Sequence, residues 1–278
     1  MQFLMVTLNL MKLNGKATYI NTGAWAKKAI AEAEKIGETI ILADSSDKNY
    51  SYIPKDFIIP EDANYFHCTS NNTIYGTQIK KFPKCKIPMV CDMSSDIFSR
   101  KININNFDII YAGAQKNMGP AGTTLYIFKK EILGKSSVPI PTMLNLKTHA
   151  DKDSMFNTPP VFAVYTSMLT LRWLKNNGGI VNIERKNQEK ADLLYSEIDR
   201  NNLFEGTANI EDRSNMNVTF TLKDETLKET FDNMLVDANI SGLKGHRSVG
   251  GYRASMYNAL PIESVQVLVD VMKKLENK

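Results

Sequence analysis

The sequence predicts an α/β protein: a large unit built on a mixed, mostly parallel sheet, followed by a smaller C-terminal α+β unit. Three observations predict it. Short apolar runs at residues 40–43, 87–91, 108–112 and 123–128 lack clean alternation, as strands covered on both faces do. Helix-forming stretches stand before and after them. The string Asn176-Asn-Gly-Gly179 then breaks the pattern, which sets a boundary between a large unit, 1–176, and a small one, 177–278.

Residues 1–11 are almost wholly apolar and read as a buried strand. They have neither the basic leading region nor the Ala-x-Ala-like site of a signal peptide. Residues 25–35 suit a helix, with Asn21 or Thr22 to cap its start and Gly37 to stop it. Pro159-Pro160 opens a second helix over 161–175. Beyond the glycines come a charged helix over 183–199, a strand over 216–222, a helix over 225–238, a strand over 251–256 and a closing helix from Ile262. That order suits a compact α+β unit.

With 278 residues, 43% of them hydrophobic, the chain can bury a sizeable core. Its net charge of +4 comes from 34 basic and 30 acidic residues with no block of like charge, which argues against a nucleic-acid partner. No apolar stretch reaches the roughly 18 residues that a membrane span needs. Cys68, Cys85 and Cys91 are odd in number and lack CxxC spacing, so a reducing, cytoplasmic setting is expected. His67, His149 and the cysteines show no metal-site spacing and read as structural.

Three strings carry chemistry. In Tyr111-Ala-Gly-Ala-Gln-Lys-Asn-Met-Gly-Pro120 a lone lysine follows an apolar strand and has small residues before it. A Schiff-base lysine needs close approach to a planar partner and easy loss of its proton; a solvated loop lysine is the plainer alternative. Asp92 ends a buried strand, where α/β sheets present ligand groups, and would hold a protonated ring nitrogen or else cap the following Ser-Ser turn. Lys244-Gly-His-Arg-Ser-Val-Gly-Gly-Tyr-Arg253 gathers a histidine and two arginines among glycines, as an anion clamp or an exposed basic hairpin would.

Together with Ser154-Met-Phe-Asn-Thr-Pro-Pro160, these strings resemble the phosphoserine aminotransferase family, class V members of the fold-type I pyridoxal phosphate (PLP) enzymes. The resemblance covers the whole chain. It implies that Lys116 bonds the cofactor, that Asp92 partners its ring nitrogen, that Trp25 stacks on its ring and that Thr73 bonds its phenolic oxygen. By the same resemblance Gln115 binds the phosphate, as do Asn157 and Thr158 from a neighbouring subunit, which implies a homodimer with shared sites. Arg253 takes the substrate α-carboxylate, and His246 with Arg247 the substrate's second anionic group. The implied reaction moves an amino group between glutamate and 3-phosphohydroxypyruvate, giving 2-oxoglutarate and O-phosphoserine, in serine biosynthesis. The chain starts after the point where the family has a glycine-rich phosphate turn. An N-terminally truncated form, with an incomplete cradle and an uncovered sheet edge, is therefore expected, with a non-catalytic remnant as the alternative.

Overall fold

The computed structural model describes residues 1–247 and 249–277. In chain order its elements are α1 (Gln2–Leu10), β1 (Lys16–Asn21), α2 (Ala24–Ala33), β2 (Glu38–Asp44), β3 (Tyr65–Thr69), β4 (Asn71–Asn72), β5 (Thr77–Gln78), β6 (Met89–Asp92), β7 (Ile109–Gly113), β8 (Thr124–Phe128), α3 (Leu146–Asp151), α4 (Val161–Asn176), α5 (Gly179–Arg200), β9 (Phe204–Gly206), β10 (Asn217–Leu222), α6 (Lys228–Asp237), β11 (Tyr252–Ser255) and α7 (Ile262–Glu276).

Six strands form one sheet in the order β2-β1-β3-β6-β7-β8, parallel except where β8 runs antiparallel to β7. Every residue of β3, β6 and β7 is buried, so neither face has a reason to be polar. One face packs Val90, Ile109 and Tyr111 against α1 and α2; the other packs Phe66, Cys91 and Ile110 against the loops that follow the strands.

The start of the chain corrects the expectation of a strand. Residues 2–10 are helical because their two buried polar side chains are satisfied in helical geometry: Thr7 Oγ1 donates to Phe3 O and Asn9 Nδ2 to Met5 O, each four residues back. Asn9 also binds Leu144 O and Leu146 N–H, so the helix is buried without orphaned amides. The start of α2 differs too. Its N-cap is Gly23, with no side-chain cap, because Thr22 donates to Asn72 and Asn21 to Asp44 instead.

Strands β4 and β5 form a two-stranded antiparallel sheet, and β9, β10 and β11 form a three-stranded antiparallel sheet, β11-β10-β9, backed by α5, α6 and α7. Phe204, Phe220, Phe231 and Tyr252 meet at its centre with ring centroids 5.0 to 5.7 Å apart. The long helix begins at Gly179, four residues before its expected start, since Gly178 at φ 85° allows an immediate turn out of α4. Where the two sheets meet, Gly76 takes φ 73° and a Cβ there would stand 2.2 Å from Thr219 Oγ1, so only glycine admits the contact.

Candidate active site

The chain pairs β2 on one side of β1 and β3 on the other, so its winding reverses there, and open α/β sheets hold ligands outside the carboxyl ends of strands at such a point. Four sequence-predicted residues lie in segments leaving these ends. Trp25 follows β1, Thr73 follows β3, Asp92 closes β6, and Lys116 lies in the turn after β7.

Thr73 ties this group together. Its hydroxyl accepts from Trp25 Nε1–H at 3.2 Å, and its carbonyl accepts from Arg253 Nη1 at 3.3 Å. A strand of the second sheet thereby brings its arginine to the first. Lys116 Nζ lies 5.2 Å from the centroid of the Trp25 ring, and Lys28 Nζ, one helical turn beyond Trp25, lies 4.6 Å from the same centroid. Both are within cation–π range.

Burial shapes the electrostatics. It pushes the Lys116 ammonium below its ordinary pKa; the Asp92 carboxylate opposes the shift and Arg253 adds to it. Asp92 is 7% exposed, and burial pushes its carboxyl upward against the pull of two hydrogen bonds from Ser94 and of Lys116. The Ser94 N–H reaches Asp92 Oδ1 at 2.9 Å. Behind Asp92, in register across the sheet, stands Tyr111, whose hydroxyl meets His67 Nε2 at 2.8 Å. His67 is fully buried and its pKa falls to about 3, so it is neutral.

The other predicted residues are more peripheral. Gln115 is exposed beside Lys116, and Asn157 and Thr158 are exposed in the connection before α4. Arg247 is exposed and His246 half-buried in the hairpin before β11, where the His246 carbonyl accepts from the N–H groups of Val249 and Gly250. Sequence reasoning overlooked Tyr111 and Asn117 in the Lys116 string, Asn72 next to Thr73, and Asn258 five residues after Arg253.

The site suits a flat, anionic, nitrogen-containing ring. It offers an indole face, a desolvated amine, and a carboxylate whose pKa burial raises. Among the described residues the buried Nε of Arg253 has no hydrogen-bond partner, which leaves that guanidinium a donor to spend on an anion.

A mixed sheet of this order with a lysine and an aspartate at its strand ends has the fold of the fold-type I PLP enzymes. The family model described as aminotransferase class-V matches residues 1–268. The phosphoserine aminotransferase of Flavobacterium psychrophilum is 66% identical over 278 residues, covering 100% of this chain and 78% of its own length. That of Bacteroides fragilis is 55% identical, with 99% of this chain and 78% of the relative covered. Among solved structures, the phosphoserine aminotransferase of Bacillus circulans subsp. alkalophilus superposes with a TM-score of 0.96 at 42% identity, over 99% of this chain and 78% of that one. The PLP-bound enzyme of Trichomonas vaginalis gives 0.92 at 34% identity, over 98% and 79%. The chain belongs to the phosphoserine aminotransferase family.

Proposed function

We propose that the protein is a PLP-dependent phosphoserine aminotransferase, exchanging the amino group of glutamate with 3-phosphohydroxypyruvate in serine biosynthesis. The observation that carries this reading is the desolvated Lys116 amine, poised over the Trp25 indole in the combined field of Asp92 and Arg253. When bound, PLP supplies an electron-withdrawing ring that stabilises negative charge at the substrate Cα.

The chain's own residues do the rest. Lys116 would hold the cofactor through its amine, and that amine, whose pKa burial lowers, would take up and give back the substrate Cα proton. Asp92, buried at the end of β6, would hold the ring nitrogen in its protonated form. Trp25 would stack on the cofactor ring, and the Thr73 hydroxyl, already a partner of Trp25, would bond its phenolic oxygen. Gln115 binds the cofactor phosphate with Asn157 and Thr158 of a second copy. Arg253 takes the α-carboxylate of either substrate, and His246 with Arg247 the phosphate or side-chain carboxylate, so one clamp serves both half-reactions.

The working form is a homodimer with shared sites. The support for this is α4, whose Val161, Phe162 and Tyr165 are 69%, 76% and 55% exposed. Residues 1–176 form the cofactor unit and 177–278 the smaller unit. None of the described helices is long and apolar enough to cross a membrane, and the protein works in the cytoplasm with small-molecule substrates.

The test is direct. With PLP added, the purified protein develops the visible band of a lysine-bonded cofactor, and it converts glutamate and 3-phosphohydroxypyruvate to O-phosphoserine and 2-oxoglutarate. A band without that conversion overturns the substrate assignment; no band, or one that survives Lys116→Ala, overturns the site.

A further inference from the structure

Three consecutive carbonyls, those of Ile97, Phe98 and Ser99, each accept a side-chain amide from a different part of the chain. Asn117 Nδ2 donates to Ile97 O at 2.6 Å, Asn258 Nδ2 to Phe98 O at 3.0 Å, and Asn187 Nδ2 to Ser99 O at 3.1 Å. The amides also bond one another. Asn258 N–H donates to Asn117 Oδ1 at 2.9 Å, and Asn187 Nδ2 also reaches Asn258 Oδ1 at 2.9 Å. Phe98 sits at φ 58°, a strained conformation for a bulky residue, and the turn it makes fans the three carbonyls toward their separate partners.

The three donors join the two units. Asn117 directly follows Lys116, Asn187 lies on α5, and Asn258 follows β11, five residues after Arg253. All are nine-tenths buried or more: Asn117 and Asn258 are 7% exposed and Asn187 2%. Lys190, 1% exposed and on the same side of α5 as Asn187, locks the segment after β11 by donating to Met256 O, Tyr257 O and Leu260 O at 3.0, 2.9 and 3.1 Å. Apolar side chains could hold two units together with less desolvation cost, but buried hydrogen bonds fix direction and register.

We propose that Asn117, Asn187 and Asn258 are positioning residues, an amide ladder that fixes the Lys116 turn in register with the Arg253 strand. The amine and the carboxylate clamp are then held in place for the same substrate. This rests on the roles given above to Lys116 and Arg253. Because Arg253 contributes to the acidity of Lys116, a slip in register changes proton affinity as well as reach.

The experiment uses the full chain carrying Asn117→Ala, Asn258→Ala or Asn187→Ala, loaded with PLP. Two quantities are read: the pH midpoint of the visible band, and kcat and KM separately. The ladder predicts a fall in kcat of about tenfold or more in Asn117→Ala and Asn258→Ala, with a shifted midpoint and an Asn117→Ala/Asn258→Ala double variant little worse than either single one. Variants that melt earlier yet keep the wild-type midpoint and kcat reduce the ladder to a structural support and overturn the proposal. Should Asn117→Ala not fold, Asn187→Ala loosens Asn258 without touching the Lys116 turn, and an unchanged midpoint and kcat there overturn it equally. A wild-type protein with no band refutes the Lys116 reading itself, and a normal band in wild type with unaffected variants refutes the ladder alone.

Discussion

The Lys116 amine stands 5.2 Å from the centre of the Trp25 ring, inside a site that disfavours its protonated form. The unfolded chain holds that proton up to the ordinary lysine pKa of 10.5, whereas the folded chain releases it earlier. Stability therefore rises with pH between the two values, and below the folded value the whole penalty is felt. Replacing the amine by an apolar chain of similar length removes it. Lys116→Met is expected to abolish aminotransfer yet raise the unfolding free energy of the cofactor-free protein near pH 7 by about 0.5 to 2 kcal/mol, the gain shrinking toward pH 10. Urea unfolding at several pH values reads this, and a less stable variant would contradict it.

Asp92 has the opposite sign of problem. Its folded pKa lies above the ordinary 3.8, so whatever stability it lends is present in acid and lost as pH rises through the folded value. Burial is the chief cause of the raised pKa, set against the hydrogen bonds from Ser94 and the field of Lys116. Asp92→Asn should leave the cofactor-free protein at least as stable while lowering kcat roughly ten- to hundredfold, the loss of one charge-assisted hydrogen bond. Wild-type turnover in Asp92→Asn would remove the aspartate from the site.

His67, two residues before the end of β3, stays neutral because burial drops its pKa from 6.5 to about 3. Through that window the unfolded chain takes up a proton that the native one refuses. Stability falls with falling pH there, by at most about 1.4 kcal/mol per pH unit from this residue. His67→Phe also costs the bond to Tyr111, so the informative quantity is the slope and not the level. Between pH 6 and pH 4 the variant's stability should depend less steeply on pH than the wild type's; equal slopes would place the titration elsewhere.

Much of this was readable in the letters, for physical reasons. Strands β6 and β7 announced themselves as apolar runs because both their faces are buried, and half-buried β8 because its side chains pack alternately on two cores. By contrast β1, with the string Lys-Ala-Thr-Tyr-Ile-Asn, and β3, with Tyr-Phe-His-Cys-Thr, carry polar groups whose burial depends on partners far along the chain. Thr18 bonds Tyr65 O and His67 bonds Tyr111, pairings that no local pattern contains. Residues 1–11 misled for a related reason: a short element buried all round loses the periodicity that separates helix from strand. The lysine string stood out because small residues precede Lys116, and Asp92 because it ends a buried strand. The amide ladder did not, since asparagine reads as a turn residue until its acceptors are known.

Helix α4 turns inward only Ala163, Ser167 and Leu174, and Ser167 lies against Gly119 of the Lys116 turn, where a Cβ would come 2.6 Å from its hydroxyl. Its outer face presents Phe162, Tyr165 and Leu169, and Met155 and Phe156 just before it are 64% and 45% exposed. Water is a poor cover for such a surface, and a second copy of the chain would bury it while bringing its own Asn157 and Thr158 toward this site. Phe162→Asp with Tyr165→Arg should therefore weaken self-association at least a hundredfold, as loss of central aromatic anchors does, and reduce PLP retention although neither residue lies among the cofactor's proposed ligands. Light scattering gives the mass and gel filtration with absorbance gives the retained cofactor. A wild-type protein that runs as a single chain, or a monomeric variant that keeps its PLP, would refute the shared site.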